Sequence, residues 1–230
     1  MTSAPSYYDS ANQDLLSLVD PDATRMCDFG CGAGALVRAL RQRRPDAYLV
    51  GVEMVEDQLE RARPYLDVAL CRNLDRIEDW SRDAELSAAM PEGSLDHVIF
   101  GDVLEHLYDP AGALQQAVRR LRPGGAALVC IPNVQHWTVF AQLVLGSWPQ
   151  ADAGIFDRTH IRWFALQDMV SLVQAAGLTV EKVTGRVFPS EEAVAVLEDL
   201  EPLARRFGVD PDLVIERGQP LQYVLVGRKP

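Results

Sequence analysis

The sequence predicts an α/β fold, a parallel sheet wrapped by helices, on three observations. Strand-like and helix-like segments alternate from residue 26 to about 134, the pattern of strands joined by helical crossovers. The first strand, which includes the apolar Met26 and Cys27, runs into the turn Asp28-Phe29-Gly30-Cys31-Gly32-Ala33-Gly34 and then directly into a helix-like stretch, the place where such sheets bind ligands. The chain has 230 residues, 48% of them hydrophobic, enough to bury one sizeable core and cramped for two. Residues 1–230 are therefore read as one domain: an N-terminal cap over 1–25, a ligand-binding core over 26–134, an insertion over 135–165, and C-terminal helix and strand elements over 166–230.

Strands are predicted near residues 26–29, 48–53, 67–71, 95–101 and 126–131. The helix over 35–44 sets Leu36, Val37 and Leu40 on one face and closes on Arg41, Arg43 and Arg44 ahead of Pro45, cations that complement the C-terminal end of the helix dipole. A later crossover helix starts from Asp109 as N-cap and Pro110 at the first helical position, with Leu114, Ala117, Val118 and Leu121 along one face. Residues 135–165 hold Trp137, Phe140, Trp148, Phe156, Trp163 and Phe164 among glycine and proline, too long and aromatic for a simple connector; loops of this kind act as lids or substrate walls. A helix over 166–176 aligns Met169, Leu172, Val173 and Ala176 and stops at Gly177. Two last strands, about 178–187 and 222–228, bracket a helix from Glu191 to Phe207.

Glycines at 30, 32 and 34 leave no Cβ where strand turns into helix, so a ligand can lie against the backbone amides. Asp28 puts a carboxylate at the mouth of the turn, which suits a cofactor carrying hydroxyls and a positive charge. The segment Tyr48 to Val52 ends in Glu53, an acid placed to accept two hydrogen bonds from ribose hydroxyls. Gly30, Gly32 and Ala35 also satisfy the looser GxGxx(G/A) pattern of dinucleotide binders. The turn by itself thus fits an NAD(P)-dependent oxidoreductase or a flavin enzyme as well, and a non-catalytic cofactor-binding subunit would carry it too.

Further along come Phe100-Gly101-Asp102-Val103-Leu104-Glu105-His106-Leu107, then Leu121-Arg122-Pro123-Gly124-Gly125 and the apolar strand Ala126 to Ile131. In this order and spacing, the glycine turn, Glu53 and these two motifs resemble the class I S-adenosylmethionine-dependent methyltransferases over roughly residues 7 to 185. Ile131-Pro132-Asn133-Val134 together with residues 154–164 looks like a bacterial subgroup often encoded with glycan or natural-product pathways. The resemblance implies a Rossmann-like, doubly wound, seven-stranded and mostly parallel sheet with its last strand antiparallel and helices on both faces. It implies S-adenosyl-L-methionine as cofactor, S-adenosyl-L-homocysteine as product, and a small-molecule or saccharide-linked acceptor methylated on oxygen first, nitrogen second.

Roles follow from the same resemblance. Asp28, Gly30, Cys31, Gly32 and Gly34 would form the cofactor loop, and Glu53 with its neighbour Met54 the ribose contact. Asn73, followed by Leu74, stands where the family has an acid against the adenine amino group; Asp75 competes, and Asn and Asp equally suit turns. Gly101 and Asp102 would face the methionine portion, whose sulfonium is stabilised by nearby oxygens and aromatic faces. Tyr7 and Tyr8 would close the pocket, or belong to a tail. His106 is a candidate general base, since histidine titrates near neutrality, or a structural residue, with Glu105 buttressing it. His160 competes for that role: with Asp157, Arg158 and Arg162 beside Trp163 it suits gripping a polar acceptor, or an ion-paired loop. Trp137 is taken as a further acceptor contact, and His97 as a packed core residue.

A net charge of −11 argues against nucleic acid as a partner, and the Arg119, Arg120 and Arg122 cluster fits a helix end. Cys27, Cys31, Cys71 and Cys130 form no CxxC pair and read as buried small hydrophobes. No His/Asp cluster has ligand spacing along the chain, so no metal is expected. The first residues lack a basic region followed by an apolar core, and no apolar run is long enough to span a bilayer; a cytoplasmic protein without membrane insertion is expected. Aromatics in 135–165, or the helix after Ser190, offer a surface for a homodimer.

Overall fold

The computed structural model describes residues 10–77 and 79–230. Strands β1 (Arg25–Phe29), β2 (Tyr48–Glu53), β3 (Val68–Cys71), β4 (Leu95–Gly101), β5 (Leu121–Pro132), β6 (Thr179–Val187) and β7 (Pro220–Arg228) form one sheet in the order β3-β2-β1-β4-β5-β7-β6. The first five run parallel, and β7 inserts antiparallel to both β5 and β6. The chain builds outward from β1 to β2 and β3, then returns to place β4 on the other side of β1. The order therefore reverses between β1 and β4, where a crevice opens at the carboxyl ends of the strands. Phe29 pairs with Phe100, so Gly30 and Gly101 emerge side by side at that crevice.

Helices α1 (Gln13–Ser17) and α2 (Ala35–Arg43) cover one face, where Leu15, Leu16, Leu36 and Leu40 pack on Met26, Leu49, Ile99 and Leu128. On that same face α3 (Glu56–Ala62) packs beside α2 at the sheet's margin, and the other face carries α4 (Ala84–Ala89), α5 (Pro110–Arg120) and α7 (Leu166–Ala175), which follows α6 (Trp137–Val144). There Phe29 stacks on Phe100 with centroids 4.9 Å apart and meets the fully buried Trp80 at 5.0 Å. Successive residues of β1 and β4 alternate between these two cores, which is why both strands carry adjacent apolar residues such as Met26-Cys27 and Val98-Ile99-Phe100. Each fully buried Leu or Phe contributes about 1.5–3 kcal/mol, so the sheet is held from both sides. Asp109 caps α5, its Oδ1 accepting the Gly112 N–H at 2.9 Å with Pro110 in the first turn, as the sequence predicts.

Three features depart from expectation. The helix anticipated from Glu191 to Phe207 is two, α8 (Glu191–Glu198) and α9 (Glu201–Arg206), because Pro202 lacks an N–H and its ring would clash with the preceding turn of a continuous helix. A further helix, α10 (Pro211–Gly218), follows, started by the Asp210 cap and the proline in its first turn. Strand β5 starts at Leu121, which pairs with Leu95, and the register shifts before Ala126 meets His97. The segment after β5 contains α6 and is pinned by bridges between Asn133 and Phe164 and between Ala151 and Asp157. Cys27, Cys31 and Cys130 are buried thiols, and Cys71, on edge strand β3, is half-buried. No helix among the described residues is long and apolar enough to cross a membrane.

Candidate functional site

A cavity of about 880 Å³ opens at the ends of β1, β2 and β4. Asp28, Gly30, Cys31, Gly32, Glu53, Gly101, Asp102 and His106 all line it. Gly30 holds φ at +68°, and a Cβ there would run into the Val103 side chain, so only glycine fits between β1 and the segment after β4. The amides of Gly30 and Cys31 donate to the Val52 carbonyl at 2.7 and 3.2 Å, and that of Gly32 to Glu53 Oε2 at 3.0 Å. These three amides thus fasten the turn to β2, and the turn offers a ligand the bare Cα surface of its glycines. Gly34 does not line the cavity; it starts α2 and packs against α3.

Glu53 is fixed by the same clasp. Its Oε1 accepts the Met54 and Val55 N–H groups at 2.8 and 2.9 Å, while the Met54 side chain points outward and is 62% exposed. Asp28 lies deeper. Burial first, and then the Glu53 charge, push its carboxyl up from 3.8 to about 8. Asn73 and Leu74 are not in the cavity wall: Asn73 caps a short 3-10 turn by accepting the Asp75 N–H at 3.0 Å, and Asp75 in turn accepts the Tyr108 N–H at 2.9 Å.

Asp102 is the one non-glycine residue with positive φ, +59°, among the described residues. This left-handed geometry, which Asp tolerates, turns the chain off β4 so that the carboxylate borders the cavity. Burial raises Asp102 to about 6, opposed by the Arg186 charge and a hydrogen bond from Gln222. Arg186 in turn bonds Gln222 and pairs with Asp14 at 2.7 Å, and Asn12 reaches the Cys130 thiol at 3.4 Å. Asp157, which the sequence grouped with His160, lines the cavity, and so do Arg186, Asn12 and Thr159, which no sequence signal singled out as site residues. Arg186 sits at the far end of the chain on β6, with no local motif to mark it. Asn12 carries a visible helix-cap signal, fulfilled by its acceptance of the Asp14 and Leu15 amides.

The two histidines considered as rival bases lie together, their rings 4.8 Å apart at 63°. His106 borders the cavity; His160 is buried behind it, beside the buried Glu105, with Nε2 at 3.8 Å from Glu105 Oε1. Burial lowers His160 and lifts Glu105 well above the usual carboxylate range. The Glu105 carbonyl accepts the Ile161 and Arg162 amides at 3.0 and 3.1 Å, and the Arg162 guanidinium donates to the Tyr108 carbonyl at 2.7 Å. Arg162 and Trp137, which starts α6, stand outside the cavity wall, and Tyr7 and Tyr8 lie outside the described residues. His97 is in the core, its Nε2 accepting the Asp20 N–H at 3.0 Å.

The family model described as a methyltransferase domain matches residues 6–183. A trans-aconitate 2-methyltransferase of Azoarcus sp. (strain BH72) is 34% identical over 124 residues, 54% of this chain and 45% of its own. A ubiquinone biosynthesis O-methyltransferase of Neisseria meningitidis serogroup C (strain 053442) is 29% identical over 171 residues, 71% of this chain and 67% of its own. The chain thus spans about half to two thirds of the length of these relatives. Among solved structures, a SAM-dependent methyltransferase from Archaeoglobus fulgidus superposes with a TM-score of 0.58 at 18% identity, covering 90% of this chain and 87% of that one.

Proposed function

Since this chain belongs to the class I S-adenosylmethionine-dependent methyltransferases, we propose that it moves the cofactor's methyl group to an oxygen of a small-molecule or saccharide-linked acceptor in the cavity beside β1, β2 and β4. One observation carries the proposal. Glycine turn, ribose-binding acid, Asp28, Asp102 and His106 share a single space of about 880 Å³, room for a nucleoside cofactor and a small acceptor together. The O-methyltransferase among the relatives favours oxygen as the acceptor atom.

In this reading the adenosyl group lies on Gly30 and Gly32, and a ribose hydroxyl donates to Glu53 Oε2, which keeps a lone pair beyond the Gly32 bond, while Oε1 is held by the Met54 and Val55 amides. Asp28 and Asp102 stand towards the positive charges of the methionine portion. The acceptor oxygen forms its bond to the methyl carbon in line with the breaking carbon–sulfur bond, whose electron pair stays on sulfur, and the acceptor proton leaves. The chain's part is to hold the reactants in line, exclude water and take up that proton at the His106 wall. His160, one layer back, acts through His106.

The test uses methyl-labelled S-adenosylmethionine and a panel of hydroxyl, carboxylate and amine acceptors, with products mapped by mass spectrometry. Label on oxygen is expected, and His106→Ala should lower turnover far more than cofactor affinity. Label confined to nitrogen, or full turnover in His106→Ala, would overturn the assignment.

A further inference from the structure

Glu105, His106 and His160 come together although His160 is far from the other two in sequence; one potential ligand atom from each lies within 4.8 Å of the others. Neither Glu105 carboxylate oxygen has a hydrogen-bond partner, and the residue is only 1% exposed. A buried carboxyl without any partner costs about 1–3 kcal/mol even when it keeps its proton, and a bound ion would answer it by taking the ionised form as a ligand. Glu105 and His160 also line a small cavity of about 30 Å³ shared with Asp102, room for an ion or a water.

The tautomers agree with such an ion. His106 Nδ1 lies 3.1 Å from the Thr159 carbonyl, which can only accept, so Nδ1 carries the proton. The Thr159 hydroxyl, at 3.1 Å from the same nitrogen, already donates to Asp157 Oδ1 at 2.6 Å and so accepts here as well. His160 Nδ1 likewise donates to the Ile155 carbonyl at 3.1 Å. Both rings are therefore oriented by backbone carbonyls through Nδ1–H, leaving the two Nε2 lone pairs as ligands, the arrangement that metal-bound imidazoles show.

We propose that Glu105, His106 and His160 form a binding site for one divalent first-row transition ion, with two imidazole nitrogens and one carboxylate as protein ligands and the remaining positions open towards the main cavity. Nitrogen-rich donors select ions such as Zn²⁺ or Co²⁺ over Mg²⁺ and Ca²⁺, which prefer all-oxygen sets. His106 lines both the ligand group and the main cavity, so an acceptor oxygen bound at an open position would face the cofactor space. With the ion bound, His106 Nε2 is occupied as a ligand and the ion favours loss of the acceptor's proton to water; in the ion-free chain that proton goes to His106. The functional consequence rests on the methyl-transfer reading above; the site itself does not.

The full-length chain, stripped with a chelator, is titrated with Zn²⁺ by calorimetry and with Co²⁺ by visible absorption. One ion per chain and intense, low-coordinate Co²⁺ bands are expected. Glu105→Gln and His160→Gln should each weaken Zn²⁺ binding beyond the roughly 10–100-fold typical of losing an outer hydrogen-bond partner. His106→Gln, at a half-buried position, gives the same readout should either buried variant fail to fold. S-adenosylhomocysteine binding is measured on the same samples. Intact cofactor binding with no stoichiometric Zn²⁺, or Zn²⁺ affinity unchanged in the folded variants, overturns the metal site alone; loss of cofactor binding in the wild type would instead strike the methyl-transfer reading.

Discussion

At neutral pH the Asp28 carboxyl keeps its proton, because burial and the Glu53 charge lift it to about 8. The unfolded chain releases that proton near pH 4, so between about pH 4 and about 8 the folded state binds more protons and its stability falls as pH rises. Denaturant melts at pH 5 and pH 8 should show the wild type losing more stability between them than Asp28→Asn; equal losses would contradict the assignment. A cationic ligand reverses the preference, since a positive charge beside Asp28 favours the carboxylate. Binding of S-adenosylmethionine at pH 7 should therefore release a proton that Asp28→Asn does not, measured by calorimetry in buffers of unlike ionisation heat. The acid at 28 was legible in the sequence because it precedes a glycine turn. Its depth below Glu53 was not, because only the pairing of β1 with β2 sets the two carboxylates together.

The glycine turn and the strands were legible as elements because their signals are local: short apolar runs alternating with helix-like segments, a turn without Cβ atoms, a capped crossover helix. Gly34 shows how strict such a signal is. It holds φ at +83°, and a Cβ would sit 2.7 Å from the Cα of Ala62 in α3. Gly34→Ala should cost at least about 1–2 kcal/mol from the left-handed backbone alone, with more from the clash, read as a lower thermal midpoint. An unchanged midpoint would mean that the turn relaxes more freely than this packing allows. The prolines after Ser190 were less well read than Pro110: Pro202 divides α8 from α9 and Pro211 opens α10, where one helix from Glu191 to Phe207 was expected.

Across the whole molecule, the cavity is assembled from both ends of the chain. Asp14 on α1 pairs with Arg186 on β6, which bonds Gln222 on β7, which bonds Asp102 after β4. No sequence pattern announces contacts between residues so distant, which is why Arg186 and the grouping of Glu105 with His160 came only from the folded chain. Arg186→Met should both weaken cofactor binding and speed hydrogen exchange at Leu15 and Leu16, whereas a change in one without the other would uncouple α1 from the site. The central claim is that the crevice between β1 and β4 holds an adenosyl sulfonium compound. Its most direct test is calorimetric titration of the purified chain with S-adenosylmethionine and, separately, NADH. One-to-one binding of the first, weakened by roughly 1–3 kcal/mol in Glu53→Ala, with no heat from NADH, is the predicted result. Tight NADH binding with no response to S-adenosylmethionine would contradict it.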